Sequence, residues 1–333
     1  MFPRWLRYLV IAAMTMTVSC VRASGSSSPA EDRLLRLVPA NAAIVAGIED
    51  PHHRDQSGRL LIVTHNNNVD LRDWLTLAGV DDQKEVDRLI EVAMPSPLGE
   101  LGEHLLLLRG AFNGSHILAA ALQNGGVATE YRGIRLVALK PFAREQREMP
   151  NTRWLAIVDD STAIFGTPTI VKAALDRYLL SSQVDSQLAK QLGELKPDVN
   201  CWSLLAMPGA MLTNHLRAGL LDDIGAPLVR KVTNIAVGVH YGAKERVDFV
   251  LGTENAASAA SLATALGNRP QLLPIADASG THFEGVSVEQ NEIRGSLRVK
   301  DKEFDTWLAT VYARLSVGSG ADATNVARVD SRR

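Results

Sequence analysis

The sequence predicts an α+β fold, in which antiparallel sheets are covered by helices on one face and the chain forms two similar halves. Three times along the chain, a pair of short apolar strands around a turn precedes a segment with helical spacing. Two of these helices also begin alike, because an apolar strand runs into Gly166-Thr167 and again into Gly252-Thr253. Each threonine is suited to cap the helix that follows it. Repeated hairpin–helix units are typical of the α+β class.

The first elements are predicted from apolar runs and their boundaries. Residues 42–48 are an apolar run that predicts a strand. Residues 71–78 carry apolar side chains at helical spacing and end before Gly79. Residues 82–93 begin with capping-box spacing and end before Pro95, so they predict a second helix.

The remaining elements follow from the same two periodicities. The chain is predicted to form strands over 105–108, 127–131, 134–139, 154–158, 162–165, 199–205, 235–239, 247–251, 282–288 and 293–299, and helices over 115–122, 168–180, 256–266 and 302–315.

These elements and the composition of the segments between them divide the chain into six parts. They are a signal peptide (1–19), a flexible tether (20–33), a first half (34–180), a polar linker (181–197), a second half (198–315) and a disordered tail (316–333).

The N-terminal segment has the features of a bacterial export signal. Arg4 and Arg7 form a short positive region, and the apolar stretch 8–18 follows them. This stretch is within the range of a signal segment and well short of the ~20 residues that a spanning helix needs. No later segment approaches its length without a charge, a proline or a glycine. We therefore expect an exported chain without a transmembrane helix.

The end of the signal resembles a lipid-attachment motif. Thr17-Val18-Ser19-Cys20 resembles the bacterial lipobox, with Thr17 where leucine is usual. This resemblance to exported envelope lipoproteins implies that Cys20 becomes the lipidated first residue and holds the chain on a membrane in the cell envelope. The serine-rich stretch 24–29 suits a flexible tether. The alternative is ordinary cleavage after Ala23, which would give a secreted or soluble periplasmic protein.

Composition and cysteine usage exclude several classes of protein. The formal charge of −2 becomes more negative by two when Arg4 and Arg7 leave with the signal, so nucleic acid is not an expected partner. Cys20 and Cys201 are the two cysteines, and the mature chain can therefore form no intrachain disulfide. Cys201 lies in an apolar strand, where a buried structural thiol is expected.

No standard catalytic or cofactor-binding motif occurs in the sequence. The nucleophile elbow, the P-loop, the dinucleotide-binding glycines, the zinc-protease helix and paired cysteines are all absent. His52, His53 and Asp55 form the most concentrated polar cluster, but their spacing matches no standard metal site, and a surface loop is the preferred interpretation. Asp159 and Asp160 are expected to be turn residues. We therefore assign no catalytic residue, no metal and no cofactor.

These observations predict an exported, lipid-anchored envelope protein that acts as a non-enzymatic binding or scaffold module. Its partner is the membrane, through lipid at Cys20, and its ligand is not indicated by the sequence. Two alternatives remain open. One is an exported hydrolase with a non-standard site at His52, His53 and Asp55, and the other is a small-ligand carrier with a groove between the two halves.

Overall fold

Strands dominate the fold. The computed structural model describes residues 32–49, 85–95, 101–139, 153–195, 199, 201–206, 209, 225–240, 245–268 and 281–299. Within these ranges, twelve strands form one continuous antiparallel sheet. In the same ranges, five α-helices and one short 3-10 helix accompany the sheet. No helix in these ranges is long and apolar enough to cross a membrane.

The strands are β1 (Ile44–Glu49), β2 (Val86–Pro95), β3 (Leu101–Gly110), β4 (Val127–Tyr131), β5 (Ile134–Leu139), β6 (Arg153–Asp159), β7 (Thr162–Gly166), β8 (Cys201–Leu205), β9 (Val232–His240), β10 (Glu245–Thr253), β11 (Thr281–Glu289) and β12 (Glu292–Val299). The helices are α1 (Gly114–Gln123), α2 (Pro168–Leu179), α3 (Ser186–Glu194), α4 (Ala226–Val229) and α5 (Ala256–Asn268), and the 3-10 helix is Leu35–Leu37.

The order of the strands shows how the chain builds one sheet. The order is β11-β12-β10-β9-β8-β1-β2-β3-β7-β6-β5-β4, so β1–β7 occupy one side and β8–β12 the other. The two sides join through β1 and β8, where Ile44 pairs with Leu205 and Ile48 with Cys201. On each side a three-strand meander is followed by a helix, α1 or α5. After α1, the chain forms β4–β7, and β7 pairs with β3. After α5, the chain forms β11 and β12, and β12 pairs with β10.

Helices pack on both faces of the sheet. Successive side chains of a strand point to opposite faces, so one strand can contribute to the cores on both faces. On the face that carries Val45 and Leu204, called the first face here, α2, α3 and the 3-10 helix pack in one hydrophobic core. On the second face, α1 packs over the side that contains Leu155. Helix α5 packs on the same face over Leu251 and Ile293.

The predicted α+β class with helices on one face is wrong. The described residues are mostly one antiparallel sheet, with few helices, and these lie on both faces. Two of the predicted hairpin–helix units are present, as β6–β7 followed by α2 and β9–β10 followed by α5, but they do not form separate units. The pairings β1–β8 and β3–β7, which merge the hairpins into one sheet, join segments far apart in sequence. Local periodicity cannot reveal such pairings.

The predicted helix over 82–93 is also wrong, since residues 86–95 form β2. Leu89 and Ile90 are adjacent and both buried, as expected for a central strand that is covered on both faces. The spacing of Val86, Leu89 and Ile90 fits a helix equally well, and pairing with β1 and β3 decides the outcome.

Most other predicted elements are confirmed, with boundaries that move by a few residues. The hairpin predicted over 127–131 and 134–139 forms β4 and β5 with these boundaries. Helices α1, α2 and α5 and strands β1, β3 and β6–β12 also appear where they were predicted. Residues 186–194, in the segment predicted as a linker, form α3. The predicted signal and tail, the predicted tether as far as residue 31, and the predicted helices over 71–78 and 302–315 lie outside the described residues. The end of the predicted tether is wrong, since Asp32 is buried and pairs with Arg88.

Candidate functional site

An open cleft lies on the first face of β10, β12 and β11, beside the C-terminal end of α3. Its volume is about 380 Å³. Asp248, Ser296 and Ser287 contribute to its lining, and Arg294 and Glu194 stand at the end nearest α3. The cleft therefore combines hydroxyl groups, carboxylates and a guanidinium on neighbouring strands.

Small residues on β11 and β12 leave room for the cleft. Gly285 pairs with Ser296 immediately after an irregularity in the β11–β12 register. Its φ of +110° favours glycine, and a Cβ at this position would meet nothing within 4 Å. A bulge at the edge of a sheet is a common way to reposition the neighbouring side chains.

Asp248 is the centre of a polar network in the floor of the cleft. Its Oδ2 lies 2.8 Å from His240 Nε2 and 3.0 Å from Arg246 Nε. Ser296 Oγ donates a hydrogen bond of 2.8 Å to Oδ1. The register brings these groups together, because Arg246 pairs with His240 and Asp248 pairs with Ser296. Asp248 is 8% exposed, so its carboxylate is largely shielded from water.

The surroundings of Asp248 keep its carboxylate ionised. Burial alone would raise its pKa, but hydrogen bonds from His240 and Ser296, with the charge of Arg246, lower the pKa to about 2. A carboxyl group with this pKa is a poor proton donor at neutral pH. Ser296 donates its hydroxyl proton to Asp248, and a carboxylate with this pKa is also a weak base for activating a serine nucleophile.

Arg294 forms the wall between the cleft and α3. One of its terminal nitrogens donates to the backbone oxygen of Glu194 at 3.0 Å, and the other donates to Glu292 Oε2 at 2.9 Å. Its Nε lies 3.2 Å from Glu289 Oε2. An arginine on the last carbonyls of a helix is favourable in the field of the helix dipole. Burial, followed by the charge of Glu292, raises the pKa of Glu194.

The opposite end of the cleft is also charge-balanced, because Arg298 pairs with Glu284. Thus Arg246, Arg294 and Arg298 each face a carboxylate. The lining itself contains three carboxylates, one guanidinium and two hydroxyl groups beside apolar side chains. This chemistry suits a ligand whose polar groups pair with these side chains.

A second buried ionic contact lies at the other side of the sheet, where Asp32 pairs with Arg88. Both side chains are buried, and Asp32 also accepts backbone hydrogen bonds from Leu34 and Leu35. Burial, followed by the charge of Arg109, lowers the pKa of Arg88 to about 9. This contact anchors the start of the described chain to β2.

The structure tests some of the residues that the sequence singled out. Cys201 is fully buried, which confirms its predicted structural role. Asp159 accepts hydrogen bonds from the backbone and hydroxyl of Ser161, which confirms its predicted role in a turn. Cys20, His52, His53 and Asp55 lie outside the described residues. Among the described residues, no group of three potential ligands could hold a metal ion.

Sequence reasoning missed the cleft and the Asp248 network. Asp248 and Ser296 are far apart in sequence, and only the register of β10 and β12 brings them together. One signal in the sequence pointed to the network: Asp248 lies between Val247 and Phe249 in an apolar run. A charge that is buried in such a strand needs partners from neighbouring strands. No protein-family model matches the chain, and no curated protein matches it.

Proposed function

We propose that this chain is an exported, lipid-anchored envelope protein that acts as a non-enzymatic binding module for a polar ligand. The observation that carries the binding role is the open cleft of about 380 Å³, in which the hydroxyls of Ser287 and Ser296 and the charged groups of Asp248 and Arg294 lie beside apolar side chains. Cavities of this size accommodate small molecules or a short segment of a larger ligand.

The Asp248 network supports binding in preference to catalysis. A general acid requires a carboxyl group that holds a proton near neutral pH, and Asp248 has a pKa of about 2. A serine nucleophile requires a base that takes its proton, and the carboxylate to which Ser296 donates is too weak a base for this, because its pKa is about 2. The network therefore orients hydroxyl and guanidinium groups at the floor of the cleft, which is the arrangement that a binding site needs.

Export and anchoring are supported by the sequence around Cys20. Metabolic labelling with a fatty acid tests this part of the proposal, with Cys20→Ala as the matched variant. We expect label in the native chain and none in Cys20→Ala. A native chain that takes up no label would refute the lipid anchor.

The cleft is tested with two tryptophan substitutions at adjacent positions of β11. Ser287 lines the cleft, whereas Val288 lies next to it in the strand and points to the opposite face. We expect native mass spectrometry of freshly purified full chain to reveal a retained ligand in the wild type and in Val288→Trp. Ser287→Trp should lose it, because the indole fills the cleft. Retention in both variants would assign the ligand to another site, and repeated absence from the wild type would contradict the binding role.

A further inference from the structure

Two exposed leucines stand at the end of α2. Leu180 is 71% exposed and Leu179 is 42% exposed. Single exposed leucines are ordinary, but two adjacent ones at the tip of a helix form an apolar projection. The projection belongs to the half of the sheet formed by β1–β7, whereas the cleft belongs to β10–β12.

The backbone holds these leucines in a fixed position. The amide of Ser182 donates to the oxygen of Arg177 at 2.9 Å, and the amide of Ser181 donates to the oxygen of Tyr178 at 3.1 Å. Ser181 has a φ of +49°. This is the hydrogen-bond pattern of a Schellman motif, in which the helix ends with a left-handed residue. The leucines therefore project from a capped helix.

Two arginines lie near this end of α2. Arg177 donates to the backbone oxygens of Arg36 and Gln183, each at 2.7 Å. Arg33 is exposed, and its charge acts on Tyr178 in the same helical turn. The nearby carboxylate of Asp185 accepts backbone hydrogen bonds at the start of α3. The surface of Leu179, Leu180, Arg33 and Arg177 is called the leucine end below.

The chain enters the fold at the leucine end. Asp32 is fixed to Arg88 and to the backbone of the 3-10 helix, and this helix packs against α2. Asp32 follows Cys20 by twelve residues. Such a segment spans at most ~40 Å when extended, and ~20 Å on average as a flexible linker. A lipid on Cys20 would therefore keep the leucine end close to the bilayer.

We propose that the leucine end is the surface that this protein lays on an anionic lipid membrane. The leucines enter the boundary between headgroups and acyl chains, and the arginines meet lipid phosphates. Weak contacts suffice here, because the tether raises the effective concentration of the surface at the membrane. The inference deepens the proposed function and rests on its lipid anchor in the cell.

Quenching of an introduced tryptophan by brominated lipid tests the contact. The mature chain, which begins at Cys20, is coupled through this cysteine to a maleimide lipid in phosphatidylglycerol-containing vesicles, and the fully buried Cys201 is protected from the reagent. The reporter is Leu180→Trp. Val127→Trp and Val288→Trp are matched controls, because these exposed residues lie on β4 and β11 at the two edges of the sheet. The signal of the wild-type tryptophans is subtracted.

We expect brominated lipid to remove most of the fluorescence added by Leu180→Trp and little of that added by either control. Equal quenching of the three reporters would overturn the proposal. Quenching at position 180 that is the same on neutral phosphatidylcholine vesicles would overturn the role of the arginines. Chemical coupling makes this test independent of lipidation in the cell, so its failure is distinguishable from a missing anchor in the labelling experiment.

Discussion

At the scale of single residues, Asp248 shows how a charge is kept inside an apolar strand. Its neighbours Val247 and Phe249 point to the second face and are buried there. Its own side chain points to the first face, where His240, Arg246 and Ser296 satisfy it. A buried carboxylate without such partners would be strongly destabilising. The network therefore makes the floor of the cleft both polar and rigid.

The lowered pKa of Asp248 predicts a specific loss of stability in acid. The pKa of Asp248 is about 2 in the folded protein and 3.8 in its ordinary state. The ionised carboxylate therefore stabilises the fold fully above pH 3.8, and this stabilisation is lost as the pH falls through about 2. Between pH 6 and pH 2 this group alone should remove about 2 kcal/mol from the free energy of unfolding. Urea titrations at a series of pH values measure this loss.

The matched variants for this experiment are Asp248→Asn and Glu130→Gln. Asp248→Asn should be less stable than the wild type at pH 6, and the difference should shrink by about 2 kcal/mol at pH 2. Glu130 is exposed on β4, and its substitution should leave the acid profile unchanged. Parallel profiles for the wild type and Asp248→Asn would show that the network does not stabilise the ionised carboxylate.

At the scale of elements, the end of α2 carries a measurable strain. Ser181 occupies the left-handed position of the Schellman motif, where glycine is usual. For a residue with a side chain, this conformation lowers the free energy of unfolding by about 1–2 kcal/mol. Glycine avoids that cost, but it is more flexible in the unfolded chain, which lowers the free energy of unfolding by about 0.5–1 kcal/mol. Ser181→Gly should therefore raise the free energy of unfolding by about 0.5–1 kcal/mol.

Urea unfolding measures the effect of Ser181→Gly as a shift in midpoint with an unchanged slope. Ser182→Gly is the matched control, because Ser182 is adjacent and its φ is not positive. This control should be neutral or slightly destabilising. An equal effect of the two substitutions would contradict the assignment of strain to Ser181.

The elements also show what the sequence could predict. The β4–β5 hairpin follows from its local turn, since Arg132 and Gly133 both have a positive φ between two apolar runs. Strand β2 could not be predicted, because burial on both faces gives an apolar pattern that also fits a helix. The cleft was beyond prediction for another reason: Asp248 and Ser296 meet only through pairing of β10 with β12.

At the scale of the whole molecule, the pairing of β1 with β8 makes one structure from the two sets of strands. The hydrophobic core of the first face includes Leu105 and Leu175 from one side and Leu204 and Val250 from the other. A shared core and a continuous sheet predict that both sides open together. At the joint, the ring of Trp202 lies against Gly47, which pairs with it.

Gly47→Ala tests this coupling, because a Cβ at position 47 would overlap with the buried Trp202 ring. Overpacking of this kind costs about 1–3 kcal/mol. Native-state hydrogen exchange should show an equal loss in the free energy of opening for amides of β7 and β10, which lie on opposite sides of the joint.

Gly193→Ala in α3 is the matched control. Nothing lies within 4 Å of a Cβ there, and helix propensity should stabilise the fold by about 0.5–1 kcal/mol. A loss confined to one side in Gly47→Ala would show that the sides open independently, despite the sheet that joins them.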